Sequence, residues 1–202
     1  MNTSRLRRFA ALGFAGALAS GLALVGASAA DAASPTYTCN GYTATIVGTE
    51  GNDEINGTSG RDVIVALGGH DEIDGRGGND IICAGAGNDE VEGGSGNDWI
   101  DAGSGHDEVD GESGNDVIYG GSGHDSLEGG SGADRIYGGS GNDHLEGDSG
   151  KDKLYGQAGH DLIEGGSGKD KLSGGAGKDI LRQFKASDRV EDRWEDRYGY
   201  DD

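Results

Sequence analysis

Gly93-Gly94-Ser95-Gly96-Asn97-Asp98-Trp99-Ile100-Asp101 is the stretch that decides the fold. Six turn-forming residues precede three that suit a strand. The glycines permit positive φ angles and let carbonyls point into a tight turn. Asp98 adds a carboxylate. In the last three residues neighbouring side chains face opposite ways. Ile100 therefore points in, and Trp99 and Asp101 point out. The pattern repeats on either side without a slip. The aspartates are Asp53, Asp62, Asp71, Asp80, Asp89, Asp98, Asp107, Asp116, Asp125, Asp134, Asp143, Asp152, Asp161, Asp170 and Asp179. A glycine sits two residues before each, from Gly51 to Gly177, and an Ile, Leu or Val two residues after each, from Ile55 to Leu181. Three registers held in phase over fifteen copies mean a solenoid, in which each unit stacks on its neighbours.

A longer period lies over the first. The residue after each aspartate reads Glu54, Val63, Glu72, Ile81, Glu90, Trp99, Glu108, Val117 over the first eight copies. This alternation repeats every 18 residues, as two chemically different sheets require. Two nonapeptides make one flattened coil, and coils stack at about 4.8 Å in two parallel sheets. Carboxylate and carbonyl oxygens without His or Cys form a hard-cation site, with Ca2+ the first choice. Mg2+ prefers strict octahedral geometry and retained waters, and suits an all-protein oxygen cage less.

The unit resembles the Gly- and Asp-rich nonapeptide of the RTX, or hemolysin-type, calcium-binding repeat family, G-G-x-G-x-D-x-U-x with U large and apolar. The likeness covers residues 48–182. Gly120 to Asp125 and Gly138 to Asp143 match the pattern fully, whereas Ala66-Leu67 departs from it at its first two positions and Gly147-Asp148 and Gly156-Gln157 lack the second glycine, which implies weaker sites there. The resemblance implies an all-β, right-handed parallel β-roll of about 15 nonapeptides in two parallel sheets, with caps at both ends. It also implies multiple Ca2+ ions, held between stacked turns by the fifteen aspartates and by turn carbonyls from repeats n and n+2. RTX repeats often accompany toxin, protease or lipase domains. None is read in these 202 residues, and no Ser/His/Asp or Cys/His constellation stands apart from the repeat, so no enzymatic role is expected.

Residues 1–32 read as a secretory signal peptide, with Arg5, Arg7 and Arg8 ahead of an apolar run from Phe9 to Val25 and then small residues. A secreted, extracellular protein is expected, with no membrane span in the mature chain. Removal of these residues leaves 13 basic and 36 acidic side chains, a net −23. Such a surface repels nucleic acid and anionic membranes, and opposes its own compaction unless cations bind. Eight odd and seven even turns leave 13 gaps between coils, so 13 Ca2+ would bring the holo form near neutrality. Two cysteines in an exported chain read as a disulfide, Cys39–Cys83.

The segment 33–47 is expected to cap the N-terminal end, with Thr45-Ile46-Val47 as a strand in phase with the repeats. At the other end, residues 183–202 form a cap in which Asp188 and Val190 keep the nine-residue phase or, alternatively, Asp188 to Tyr198 is a short helix. The even-repeat sheet is expected to present Val63, Val65, Ile81, Cys83, Trp99, Val117, Tyr119, Tyr137 and Tyr155 outward, joined by Arg135, Lys153 and Lys171. This strip is either a surface for a glycan or cell-surface partner or ordinary cross-strand packing. The odd sheet carries an acidic ladder of Glu54, Glu72, Glu90, Glu108, Glu128, Glu146 and Glu164, expected to be a solvated face that blocks sheet-on-sheet association. His70, His106, His124 and His160 each precede a repeat aspartate, in a slot that Asn fills in most other copies. They read as a tolerant solvent position ahead of a transition-metal or pH-sensing one.

Overall fold

The computed structural model describes residues 35–183, together with the backbone of Arg189–Val190. These residues form a parallel β-solenoid built on two sheets. The odd repeats make an eight-stranded sheet running from Glu54–Asn56 to Ile180–Arg182. The even repeats make a nine-stranded sheet that starts at Ile46–Val47 and ends at Arg189–Val190. Every pairing in both sheets is parallel and joins residues 18 apart, such as Ile100 with Ile118 and Val91 with Val109. The two-nonapeptide coil read from the alternation is therefore the repeating unit of the fold.

The middle residue of each strand points inward. Ile64, Ile82, Ile100, Ile118, Ile136, Leu154 and Leu172 line one side of the core and Ile73, Val91, Val109, Leu127, Leu145 and Ile163 the other. All are at most 1% exposed. The core is one residue deep per nonapeptide, so apolar burial per ordered residue is low. The turns stack as closely as the strands. A Cβ on Gly114, at φ +148°, would collide with the Gly96 carbonyl of the coil before it, so only glycine fits there.

The N-terminal segment adds a hairpin to the in-phase strand Ile46–Val47. Thr38–Cys39 and Tyr42–Thr43 pair antiparallel as a hairpin. Its two loop residues, Asn40 (φ 46°) and Gly41 (φ 80°), both have positive φ, as a tight two-residue turn demands. The hairpin lies on the even sheet, with Cys39 bridged to Cys83 at a Cα–Cα distance of 5.9 Å. Val63, Val65 and Ile81 do point away from the roll. They are nonetheless buried, packed with Cys39 and flanked by Tyr37, Ala44, Leu67 and Trp99. The outward apolar residues of the first coils are thus a second small core. Arg61 also lies over the Tyr42 ring, 4.5 Å from its centre.

The expected signal peptide lies outside the described residues, as do 184–188 and 191–202. Arg189–Val190 pairs parallel with Lys171–Leu172, so at these two residues the nine-residue phase continues as strand and not as helix. No helix among the described residues is long and apolar enough to cross a membrane.

Candidate metal centre

The aspartates form two columns, one along each edge of the roll. From Asp62 to Asp170 all are buried. One carboxylate oxygen of each is tied to the coil before. The backbone N–H of Asp98 donates to Asp116 Oδ1 at 2.8 Å, and that of Asp107 to Asp125 Oδ1 at 3.0 Å. The same link runs from Asp53 to Asp179 on the odd edge and from Asp62 to Asp170 on the even edge.

The other oxygen is not tied. Oδ2 of Asp71, Asp80, Asp89, Asp98, Asp107, Asp116, Asp125, Asp134, Asp143, Asp152, Asp161 and Asp179 is shielded from solvent and accepts no hydrogen bond. In the turns of Asp80, Asp98, Asp116, Asp125, Asp143, Asp152 and Asp161 this oxygen faces both the first glycine of its own turn and a carbonyl of the next coil. A Cβ placed on Gly111 would stand 2.9 Å from both Asp116 Oδ2 and the Gly129 carbonyl oxygen. On Gly120 it would stand 2.7 Å from Asp125 Oδ2 and 2.6 Å from the Gly138 oxygen. Gly93 and Gly147 give the same pairs at 3.1 Å and 3.0 Å. A buried, unpartnered carboxylate oxygen converging with a backbone carbonyl has two negative poles and no donor. Oxygen donors alone, in a space that a methyl would fill, fit a hard cation.

Burial raises the carboxyls in this metal-free arrangement. Asp98, Asp134 and Asp143 are pushed up to about 6, and Asp107, Asp116 and Asp152 to about 7, from an ordinary 3.8. Desolvation is the main cause in each, the N–H bond to Oδ1 opposes it, and other carboxylates add to it. Asp71, Asp80, Asp89, Asp125 and Asp161 move the same way for the same first reason.

The family model for the RTX calcium-binding nonapeptide repeat (4 copies) matches residues 47–82, 56–91, 84–118, 110–145, 119–154 and 146–181. The chain belongs to this family. No curated protein matches it. RTX repeats bind calcium, and buried aspartates at this nine-residue spacing fit calcium-binding turns. The aspartate columns would hold Ca2+ with the turn carbonyls, and the ion would neutralise the buried carboxylates' charge.

Not all RTX turns here are alike. The turns ending at Asp71, Asp89 and Asp107 begin with Ala66, Ala84 and Ala102, each fully buried, so a methyl occupies the place that glycine leaves open elsewhere. Among these only Ala66 stood out in the sequence as a departure. Leu67, Arg76, Glu112, Asp148 and Gln157 replace the second glycine, yet keep positive φ between 57° and 80°. The turn shape survives these replacements, at some backbone strain. Asp53 and Asp62 differ most. Their Oδ2 atoms accept bonds from Thr49 and Thr58.

Where Asn or His fills the slot before an aspartate, its side chain accepts a backbone N–H of the next coil. On the odd edge Asn52 Oδ1 accepts the N–H of His70, His70 Nδ1 that of Asn88, and Asn88 Oδ1 that of His106. The relay continues through His106, His124, Asn142 and His160 to the N–H of Lys178. His replaces Asn here because both offer an acceptor at the same reach. The His106 and His124 rings stack at 5.1 Å. Asn79, Asn97 and Asn115 do the same on the even edge.

The outward faces also resolve. Tyr119, Tyr137 and Tyr155 stack on one another at 4.9 and 5.1 Å, nearly parallel, with Trp99 tilted against Tyr119 at 5.6 Å. The interior rings spend their faces on each other. Arg135, Lys153 and Lys171 stand in register one column away. The acidic ladder is two columns. Glu54, Glu72, Glu90 and Glu108 form one, continued by Ser126 and His144, and Asp74, Glu92, Asp110, Glu128, Glu146 and Glu164 form the other. Arg76 pairs with Asp74 at one end and Arg182 with Glu164 at the other. Between these ends Glu128 is raised to about 7, first by its hydrogen bond with Asp148, then by burial and neighbouring carboxylates.

Proposed function

We propose that this protein is a secreted, non-enzymatic calcium-binding β-roll that reaches its folded state only when calcium fills the gaps between its turns. The observation that carries this reading is the row of shielded Oδ2 atoms without donors, seven of which, from Asp80 to Asp161, converge with a backbone carbonyl of the next coil. A net charge of −21 and a core one side chain deep point the same way. A site absent in the unfolded chain contributes its binding energy to folding. The Cys39–Cys83 bridge and the apolar N-terminal run of residues 9–25 support export. Two measurements test the reading: circular dichroism of the purified protein in chelator and in millimolar Ca2+, and N-terminal sequencing of the protein from the culture medium. A calcium-dependent β signal and a start near residue 33 are expected. An unchanged spectrum, or a protein retained in the cell with residues 1–32 intact, would contradict it.

A second reading rests on the basic column. Arg135, Lys153 and Lys171 run along the even sheet against the acidic trend of the chain, beside the tyrosine stack. This strip supports a role as a calcium-rigidified module for an acidic glycan or cell-surface partner. The stacked rings offer edges and hydroxyls to such a partner more than faces. Replacing Tyr119, Tyr137 and Tyr155 with Thr keeps β-propensity. Loss of calcium-dependent binding to cell walls or acidic glycans in the folded triple variant is the expected result, and undiminished binding would refute it.

A further inference from the structure

We propose that Thr49 and Thr58 take the place of calcium in the first gap of each edge, so that Asp53 and Asp62 hold no ion. This rests on the reading that the later gaps do hold calcium. The two aspartates head the odd and even columns and keep the repeat register in full. Their surroundings differ from those of the aspartates after them. Asp53 Oδ2 accepts the backbone N–H of Thr49 at 2.6 Å and its hydroxyl at 2.9 Å. Asp62 Oδ2 accepts the same two donors from Thr58 at 2.7 and 2.9 Å. Each hydroxyl accepts in turn from a turn glycine, the Gly51 N–H at 3.2 Å or the Gly60 N–H at 3.1 Å. The same hydroxyls also reach the Gly51 and Gly60 carbonyls at 3.2 and 3.1 Å, but the charged carboxylates are the nearer acceptors at 2.9 Å. Two donors to a charged acceptor supply the local positive potential that the other turns lack.

The oxygens that would line a cation are in place here too. A Cβ on Gly48 would stand 2.9 Å from Asp53 Oδ2 and 2.7 Å from the Ala66 carbonyl oxygen. The first gap is therefore built like the others, and the threonine has satisfied its carboxylate. The backbone agrees. Residues at the threonine position in later turns take positive φ, from Leu67 and Arg76 to Gly175, whereas Thr49 and Thr58 do not. A β-branched side chain is strongly disfavoured there. Threonine thus selects a different turn and fills it with its own hydroxyl. These two turns sit beside the hairpin, the disulfide and the second apolar cluster, where the roll has other means of cohesion. The chain begins on a coil closed by protein groups alone, and at most eleven of the thirteen inter-coil gaps remain for calcium.

Native mass spectrometry of the calcium-loaded protein counts the ions directly. D53N/D62N keeps an amide oxygen for the threonine donors, and its ion count should equal that of the parent. T49G/T58G restores the glycine pair and should gain up to two ions. D116N is the control for the underlying reading and should lose at least one. Loss of ions from D53N/D62N, or no gain in a folded T49G/T58G, overturns the proposal. If T49G/T58G does not fold, D53N/D62N decides alone. An unchanged count in D116N would instead overturn the calcium assignment of the later turns.

Discussion

Acid should fold this protein in the absence of calcium. The buried carboxyls are raised by desolvation, so the metal-free roll takes up protons that the unfolded chain does not bind. Asp116 illustrates the size. Its pKa rises from 3.8 to about 7, which at 1.36 kcal/mol per unit corresponds to roughly 4 kcal/mol, or about 2 kcal/mol once solvent screening is allowed for. Asp107 and Asp152 behave alike, and Asp98, Asp134 and Asp143 stop at about 6. Together they oppose the metal-free fold at neutral pH by roughly 10 kcal/mol, as much as a typical domain has in total. For a carboxyl raised on folding, stability is fully present below the unfolded pKa near 4. It is lost as pH rises through the folded values of about 6 to 7. In excess chelator the β signal in circular dichroism should therefore be strong near pH 4.5 and absent by pH 7.5, with the midpoint between. Saturating calcium should remove the loss at pH 7.5. A chelated protein whose signal is independent of pH, or grows as pH rises, would refute the reasoning.

Three further outcomes follow from the same geometry. Asp116→Asn, within the even column, should raise the calcium midpoint of folding severalfold, and Asp179→Asn should shift it less because Asp179 is the last aspartate of the odd column and borders one gap where Asp116 borders two; equal shifts would count against stacked sites. Gly111→Ala puts a methyl 2.9 Å from both cradle oxygens and should weaken calcium-dependent folding, whereas Ala84→Gly should strengthen it, as read from the midpoints in a calcium titration. Reducing Cys39–Cys83, which closes a separation of 44 residues, should lower the denaturant stability of the calcium-loaded protein by about 4 kcal/mol on the chain-entropy estimate, and no change in midpoint would show the cap to be independent of the bridge.

The solenoid, its two-sheet coil and the inward Ile, Leu and Val column were legible because each depends on a period, and a period survives in one dimension. The pairing of Ile100 with Ile118 follows from counting. What escaped depends on which atoms a turn brings within reach of the next coil. Thr49 and Thr58 break the second-glycine position visibly, but only the three-dimensional turn shows their hydroxyls on Asp53 and Asp62. The Asn and His relay was hidden because the two residue types look unlike until Oδ1 and Nδ1 are seen as equivalent acceptors. The buried state of Val63, Val65 and Ile81 needed the hairpin. A signal for that hairpin stood in the chain as Asn40-Gly41, and the flanking strands were too short to draw attention to it.

The central claim is that calcium and the fold are one equilibrium. Its most direct test is a calcium titration of the purified protein at pH 7.5, starting from excess chelator, followed by circular dichroism with the hydrodynamic radius measured alongside. The account predicts an expanded chain without β signal at the start, and a cooperative collapse to a β-rich, compact form as calcium is added. A compact, β-rich protein in chelator, unchanged on addition of calcium, would contradict it.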